Sequence, residues 1–292
     1  MSTTSTASAA PVADGKQTSV AAAARRAARR RVASVWAGRF GLAVFVIGGW
    51  QLFTDLGIVD KFFFGQPSGI WSRLIDLFQN GTEFGSFYAN IWTTIEEALV
   101  GFGVGTVAGV ILGVALGQSR FLSDVLGPYI KIVNAIPRIV LGSIFIVAFG
   151  IGVMPKILLA AVLVFFIVFF NAFQGVREVD RNVLANARVL GASRLQITQH
   201  VIVPSALTWI IASLHSAFGF AIVGALVGEV LGAQSGLGLV IKTAQDKFDP
   251  DGVFATMLVI AVLVLGAEWL IGKLEHRLLS WRPPAPSEAN SL

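Results

Sequence analysis

The sequence contains no cysteine and only three histidines among its 292 residues. The missing thiols exclude disulfide bridges, thiolate metal ligands and a thiol nucleophile. His200, His215 and His276 stand on different segments, and neither a His-Glu-x-x-His nor a Gly-x-Ser-x-Gly motif occurs. The chain also lacks a Gly-x4-Gly-Lys-Ser/Thr phosphate loop, so it has no means of its own of holding ATP phosphates. These absences argue against an enzyme and against a cofactor or metal bound by this chain.

Charged residues are also scarce. Asp, Glu, Lys and Arg make up 13% of the chain, about half of the roughly 25% found in soluble domains. Hydrophobic residues make up 55%, and the mean hydropathy is +0.74. The formal net charge is +5, but the basic residues collect in the N-terminal tail and at the ends of apolar runs, so a nucleic-acid partner is not expected. The composition indicates a protein whose solvent is largely the lipid bilayer.

Six apolar runs follow one another along the chain. A helix needs about 20 residues to cross the hydrocarbon, and several runs reach that length when their flanks are included. Only helices satisfy their own backbone in lipid within one continuous segment, and the alternation of barrel strands is absent. The sequence therefore predicts an all-α polytopic membrane protein with six transmembrane helices. The runs are 40–54, 98–117, 139–154, 157–174, 207–227 and 253–271.

Four regions follow from this pattern. Residues 1–35 are rich in Ser, Thr and Ala and then in Arg, which predicts a disordered basic tail, although an organellar transit peptide has a similar composition. Residues 36–87 hold the first predicted helix and a connection. Residues 88–282 hold the other five helices as a core domain, and residues 283–292 form a short C-terminal tail.

The positions of Lys and Arg predict the orientation. With the N-terminus inside, both termini and the connections after predicted helices two and four lie in the cytoplasm and hold most of the basic residues, as the positive-inside rule requires. The basic residues assigned to the inside are Arg120, Arg177, Arg181, Arg188, Arg194, Lys273, Arg277 and Arg282, and those assigned to the outside are Lys61, Arg73, Lys156, Lys242 and Lys247. Lys131 and Arg138, at the entry to predicted helix three, count as inside or buried.

Predicted helix two carries a glycine at every fourth position. Such a ridge lets another helix approach closely, since packing rather than hydrophobic force joins helices in lipid. Steps of four residues drift by about 40° around a helix, so the ridge spirals. It predicts either a surface along which helices slide during transport or a static packing seam. The glycines are Gly101, Gly105, Gly109, Gly113 and Gly117.

The connection after predicted helix four, residues 175–204, is unusually long for a loop between spanning helices. It contains an apolar face with helical spacing, which Gly191 interrupts. Pro204 suits the first turn of the next helix, where its missing N–H costs nothing. The segment therefore predicts two short helices joined at a glycine turn on the cytoplasmic side. The apolar face consists of Val183, Leu184, Ala187 and Leu190, and Leu195, Ile197 and Val201 resume it.

This segment resembles the cytoplasmic coupling loop of binding-protein-dependent ABC importer permeases. The pattern of that family is Glu-Ala-Ala, three residues, Gly, nine residues and Ile-x-Leu-Pro. Gly191 and Pro204 stand at the required spacing, and Ala185 replaces the usual Glu, which removes one polar contact with the ATPase. The other matching positions are Asn186, Ala187, Val201 and Val203.

Residues from about 90 to 282 also resemble the branch of that family that moves nitrate, taurine and alkanesulfonates. One difference concerns the four residues Thr94 to Glu97, because the branch usually has Ser-Leu-x-Arg before the Gly-Phe pair. The matching pieces are Gly101-Phe102, Ala135-Ile136-Pro137, Phe149-Gly150-Ile151-Gly152, Glu229, Gly236-Leu237-Gly238, Arg277 and Trp281.

The resemblance implies a type I ABC importer permease, a bacterial inner-membrane subunit that moves a small anionic solute such as nitrate, a sulfonate or taurine. It also implies two ABC ATPase subunits that bind the ATP and Mg, a second permease copy forming a homodimer, and an extracytoplasmic solute-binding protein. Arg188 and Arg194 have a second interpretation, in which they hold the loop at the anionic membrane surface. The residues implied to couple to the ATPase are Ala185, Ala187, Arg188, Gly191, Ser193, Arg194 and Pro204.

Polar residues near the third apolar run are candidates for a substrate path, because charged groups at membrane depth usually face a protein interior or water. Lys131, Asn134 and Arg138 flank Pro137, where a helix loses a backbone hydrogen bond and can kink. A cationic lining suits an anion. Alternatively, Lys131 and Arg138 lie at the cytoplasmic interface and extend their charges into it.

Two further candidates lie on predicted helix five. His215 stands between Ser213 and Ser216, which predicts either an interhelical hydrogen bond or a ligand contact. Glu229 stands shortly before Gly236-Leu237-Gly238, which predicts a gate or packing element, or else an interfacial carboxylate.

A secondary transporter or channel is the competing class. That class is expected to show internal repeats and broken helices at matching positions in two halves, and no convincing repeat occurs here. A secondary transporter or channel would also leave the long segment around Gly191 unexplained. The sequence leaves the identity of the solute open.

Overall fold

Long apolar stretches alternate with short connections in this sequence, and the computed structural model forms helices from most of them. The structure describes the backbone of residues 14–278 and the side chains of residues 29–278 except Arg181, His276 and Leu278. These residues contain no β-strand, and Thr82 and Gly85 form one isolated bridge. The predicted C-terminal tail lies outside the described residues.

The first helix, α1, runs from Asp14 to Asp55. Our prediction of a disordered tail is therefore wrong for residues 14–35, because this stretch is rich in Ala and Arg, two strong helix formers, and continues without a break into the apolar run. Residues 29–55 are long and apolar enough to cross a membrane. The described residues up to 59 and those from 60 onward form separate compact units.

The second unit contains the remaining helices in chain order. They are α2 (Lys61–Phe64), α3 (Pro67–Asn80), α4 (Phe87–Gln118), α5 (Arg120–Ala135), α6 (Arg138–Phe149), α7 (Val153–Arg177), α8 (Arg181–Val189), α9 (Arg194–Ile197), a π-helical turn (Thr198–Ile202), α10 (Val203–Leu231), α11 (Leu237–Asp246) and α12 (Pro250–Leu278).

The number of membrane spans agrees with the prediction of six. Within residues 14–278, five helical segments are long and apolar enough to cross a membrane, and the pair α5–α6, bent by 85°, supplies a sixth if it is counted as one span. The bend lies at Pro137, which is the N-cap of α6. The predicted break of a helix at this proline is therefore confirmed.

The boundaries of predicted helix three are wrong. The run 139–154 is not one helix, since α6 ends at Phe149 and α7 begins at Val153. Gly150 has φ +79°, a left-handed conformation that ends helices and suits glycine. The 12 residues of α6 rise only about 18 Å, which is less than the roughly 30 Å of hydrocarbon. The bent pair, rather than a single straight helix, occupies this part of the chain.

The core of the second unit is the contact between α4 and α7. The glycine ridge of α4 faces α7 along its whole length, so the predicted close approach is confirmed. A Cβ atom on Gly105 would lie 2.4 Å from the carbonyl oxygen of Ala161, well inside van der Waals contact. The ridge drifts around α4, and α7 follows it. In order from Gly101 to Gly117, the side chains that face the ridge are Ala160, Val164, Val168, Ala172 and Val176.

Residue numbers rise together on both sides of this seam, so α4 and α7 run parallel. Their N-terminal ends lie beside the C-terminal end of α10 and the start of α11, as the contacts of Gly228 and Gly238 show. Their C-terminal ends lie beside residues of α8 and α9. We call these the α11 end and the α8 end of the bundle.

Candidate functional site

The segment between α7 and α10 forms a helix–turn–helix unit at the α8 end. Asp180 caps α8 by accepting the N–H of Asn182 at 2.8 Å. Gly191 has φ +82° and nothing within 4 Å of a Cβ position. It ends α8 in the left-handed conformation, and Ala192 donates its N–H to the carbonyl of Ala187 at 3.0 Å. The predicted glycine turn is confirmed.

Ser193 begins the second helix with a capping box. Its Oγ accepts the N–H of Gln196 at 3.3 Å, and its own N–H donates to Gln196 Oε1 at 2.8 Å. The second helix differs from the prediction in one respect, because α9 does not end before the membrane span. It passes through the π-helical turn into α10 as one segment of 38 residues, Arg194–Leu231, with Pro204 in the first turn of α10 as predicted.

The apolar face of α8 is only partly buried. Leu184 and Ala187 pack against a cluster that contains Ile197 and Ile202. Leu190, which we predicted on the same face, is 86% exposed, and Val189 is 87% exposed. The helix ends at Leu190, so the face turns away from the bundle there. The result is an uncovered apolar tip at the turn.

Exposed basic residues surround that tip. Arg188, Arg194 and Ala185 are exposed. A cleft of about 680 Å³, lined by Arg120, Arg188 and Arg194, separates the segment from the end of α4. Thr198 spans it by donating its hydroxyl to Gln118 Oε1 at 2.8 Å. This arrangement makes the surface at the turn cationic and partly apolar.

The predicted substrate-path residues fall at three separate places. Lys131, Asn134, Pro137 and Arg138 gather at the bend between α5 and α6. Arg138 binds Asn134 and lies over the ring of Phe166, 4.8 Å from its centroid. Lys131 lines a cavity of about 480 Å³, and its walls also include Phe169, Phe170, Phe173, Arg177 and the carboxylate of Asp124.

His215 and Glu229 lie elsewhere. His215 Nε2 is 3.0 Å from Glu275 Oε2, which links α10 to α12, so it forms the interhelical hydrogen bond that was one of the two predictions. Glu229 is completely buried at the α11 end. The structure does not bring the six predicted residues into one path.

Glu229 belongs to a buried polar cluster that holds the start of α11. Its Oε1 accepts the hydroxyl of Thr94 at 2.7 Å, and its Oε2 accepts the N–H of Gly238 at 2.5 Å. The N–H of Leu237 donates to Thr94 Oγ1 at 2.9 Å, and that of Gly236 donates to Asn90 Oδ1 at 2.8 Å. Three successive backbone donors are thus satisfied by side chains of α4 and α10.

The ion pair beside this cluster was not predicted from the sequence. Lys156 Nζ lies 2.8 Å from Glu97 Oε1, with 3% and 1% of the two side chains exposed. Lys156 was assigned to an outside connection, which is wrong because it lies buried in the first turns of α7. One signal was available, since Glu97 stands one step of four residues before Gly101 and so continues the ridge. The position where the resembling branch usually has Arg thus carries a carboxylate paired with this lysine.

The described residues contain no group of three or more His, Cys, Asp or Glu side chains that could hold a metal. What the geometry provides is a mechanical arrangement instead. An exposed, partly apolar surface at the α8 end continues directly into a spanning helix, and that helix reaches the buried polar cluster at the α11 end.

Comparison with known protein families gives one match to a family model. The family is described as "Binding-protein-dependent transport system inner membrane component", and the match covers residues 105–280.

Individual relatives are similar over most of the chain. SsuC of Bacillus subtilis (strain 168), named as a putative aliphatic sulfonates transport permease, is 30% identical over 266 residues, which are 91% of this chain and 94% of SsuC. ThiX of Halalkalibacterium halodurans, a formylaminopyrimidine transport permease, is 29% identical and covers 83% of this chain and 94% of its own. TauC of Escherichia coli (strain K12), a taurine transport system permease, is 27% identical, and the match covers 82% of this chain and 87% of TauC.

Solved structures share the fold at low sequence identity. A chain of the MetNI methionine ABC transporter in an inward-facing conformation has a TM-score of 0.60 and 19% identity, and the likeness covers 65% of this chain and 95% of that one. A chain of an amino acid ABC transporter has a TM-score of 0.52 and 18% identity, and the likeness covers 65% of this chain and 92% of that one.

Proposed function

We propose that this chain, which belongs to the family of binding-protein-dependent transport system inner membrane components, transmits the force of ATP hydrolysis in partner subunits to its own spanning helices. The chain is the membrane-embedded permease subunit of an ABC importer for small solutes, in the branch that includes the sulfonate and taurine permeases. We propose how the chain couples to ATP hydrolysis, which class of solute it carries and which subunits it assembles with.

The observation that carries the coupling proposal is the continuity of α9 with α10. The exposed tip of Val189 and Leu190 offers apolar contact area, and Arg188 and Arg194 at its rim offer charge. A groove on an ATPase subunit that took up this tip would pull on Gly191 and on the capped start of α9. Since α9 runs without a break into the span, its displacement would move α10 directly.

Two such ATPase subunits, each binding ATP and Mg, are proposed for a transporter with two permease copies. The chain itself has no phosphate loop, so the nucleotide must be held elsewhere. A second copy of this chain is the simplest partner in the membrane, and α5, which has no buried residue, offers a free surface for it. The solute-binding protein would dock at the α11 end.

The orientation and the solute follow from charge. The basic residues Arg120, Arg177, Arg188 and Arg194 at the α8 end support the proposal that this end and both termini lie in the cytoplasm, since the positive-inside rule favours basic residues on that side. The cavity beside the phenylalanine rings has two basic groups, Lys131 and Arg177, against one acidic group, Asp124, and this positive lining suits a small anion with an apolar part. Relatives named for sulfonates and taurine support this class of solute.

Purification of the tagged chain in mild detergent tests the assembly. An ATPase and an extracytoplasmic solute-binding protein are expected to copurify, and thermal-shift screening of that binding protein with sulfonates, nitrate and taurine is expected to identify the solute. Uptake that continued at full rate on an ion gradient alone, in cells lacking the ATPase, would contradict the proposal.

A further inference from the structure

The buried cluster at the α11 end contains two carboxyl groups and one ammonium group. Glu229 is completely buried, Glu97 is 1% exposed at its side chain, and Lys156 is 3% exposed. With every group ionised, the cluster would carry one uncompensated negative charge. A buried charge without a partner costs several kcal/mol, so a stable cluster needs one more positive charge.

The hydrogen bonds show where that charge belongs. Both oxygens of Glu229 are occupied, by the hydroxyl of Thr94 and by the N–H of Gly238. Glu97 Oε1 accepts from Lys156. Glu97 Oε2 is buried and has no hydrogen-bond partner. An unpaired buried oxygen is costly, and this one lies in the carboxyl group that already faces Glu229.

The neighbouring helices supply no second cation among the described residues. α7 places Lys156 beside Glu97, and α11 places only backbone N–H groups beside Glu229. The remaining charged group that acts on Glu97 is Glu96, on α4 itself, and it adds to the negative potential. Glu97 stands one helical turn after Thr94, which binds Glu229, and its partner Lys156 packs against Gly228, the residue before Glu229. The two carboxyl groups are therefore neighbours that repel each other when both are ionised. Two carboxyl groups in this position commonly hold one proton between them.

We propose that Glu97 and Glu229 form a proton-binding site and share one proton inside the membrane part of the protein. The proton is shared between Glu97 Oε2 and Glu229, where it gives the unpaired oxygen its hydrogen bond and leaves Glu97 Oε1 paired with Lys156. Its positive charge makes the cluster neutral. Binding a proton from solvent forms the carboxyl O–H bond, and releasing the proton breaks it. No other covalent bond changes.

The site is linked to the turn that starts α11. Glu229 holds the N–H of Gly238 directly and the N–H of Leu237 through Thr94. Loss of the proton would leave two carboxylates that repel each other, and Glu229 could then separate from Glu97 only by moving with this turn. Proton binding therefore tightens the contact between α4 and the junction of α10 and α11.

Infrared spectroscopy of the purified full-length chain in lipid at neutral pH tests the site. A protonated carboxyl group shielded from water has its own C=O stretching band, distinct from that of a carboxylate. We expect the band in the unmodified protein and its loss in both Glu97→Gln and Glu229→Gln. Glutamine is an uncharged isostere of glutamate. At position 97 its carbonyl can still accept from Lys156 and its amide can donate to Glu229, so the Glu97→Gln variant is expected to fold.

Glu96→Gln is the matched control, since Glu96 is the adjacent residue and lies outside the fully buried cluster. This variant is expected to keep the band. Absence of the band from the unmodified protein at neutral pH, its survival in Glu97→Gln, or its loss in Glu96→Gln would overturn the proposal. If Glu229→Gln fails to fold, Glu97→Gln decides alone. The measurement needs neither an ATPase nor a solute, so its result is independent of the transport function proposed above.

Discussion

Lys156 Nζ lies 2.8 Å from Glu97 Oε1, and the two residues are 59 positions apart. Each glycine of the α4 ridge faces a residue of α7 at the same spacing, as Gly101 faces Ala160 and Gly117 faces Val176. The ion pair is therefore the first rung of the seam and its only charged one among the described residues. A shift of one turn along α7 would break it. This favours a static seam over the sliding surface that the glycines alone left open.

Replacing Lys156 is expected to destabilise the protein strongly. Lys156→Met leaves Glu97 and Glu229 buried without a counter-charge, and breaking a buried pair in this way costs about 3–5 kcal/mol. Lys242→Met is the control, because it removes a half-exposed pair with Asp246 that is worth about 0–1 kcal/mol. Unfolding in detergent measures both. Equal stability of the two variants would show that the buried pair does not fix the seam.

A methyl group added to the seam is expected to separate the helices. Gly105→Ala places a Cβ 2.4 Å from the Ala161 carbonyl oxygen, and such overpacking costs about 1–3 kcal/mol. Gly103→Ala, two residues away, meets nothing within 4 Å and is expected to gain up to about 1 kcal/mol from helix propensity. The comparison is made by thermal unfolding. A Gly105→Ala variant as stable as Gly103→Ala would contradict the close packing.

Gly191→Glu is expected to abolish both uptake and the ATPase stimulation caused by loaded binding protein, while leaving membrane insertion intact. The substitution introduces bulk and charge at the docking turn and forces a side chain into φ +82°. Gly57→Glu is the control, since Gly57 has φ +74° and equally open surroundings but lies outside the coupling segment. Both are assayed in proteoliposomes with the ATPase and binding protein. Normal uptake by Gly191→Glu would remove the basis of the coupling role.

The exposed tip of α8 gives a prediction about binding rather than folding. Leu190→Asp is expected to reduce copurification of the ATPase at least about tenfold, the effect of roughly 1.4 kcal/mol of lost binding free energy. It is expected to leave thermal stability within about 0.5 kcal/mol, as is usual for exposed positions. Leu190→Met keeps the apolar surface and is expected to keep the ATPase. Equal recovery of the ATPase with Leu190→Asp and Leu190→Met would exclude this tip as the docking contact.

The absence of cysteine makes the orientation directly testable. A single cysteine introduced in place of Gln245, which is exposed on α11, is expected to react with a membrane-impermeant maleimide in intact spheroplasts. A single cysteine in place of Ala185, exposed on α8, is expected to react only after permeabilisation. The reverse pattern would invert the proposed topology.

The helices and the coupling segment were predictable from the order of residues, because both depend on near neighbours in the chain. Apolar runs of sufficient length are helical in lipid wherever they occur. The turn at Gly191 and the cap at Ser193 are set within about five residues of each site. The family pattern is local for the same reason, so the permease function was recognisable from Gly191, Pro204 and their spacing.

The packed fold, and not the order of residues, shows which helix faces meet. Glu97, Lys156 and Glu229 stand on three helices, and no local rule pairs them, so the sequence predicts neither the position of Lys156 nor a role for Glu97. The exposure of Leu190 also depends on where neighbouring helices end. A charge buried in a bilayer protein is tolerated only beside its partner. Here the packing of small residues along α4 and α7 brings Lys156 to Glu97, which is 59 residues away in the chain.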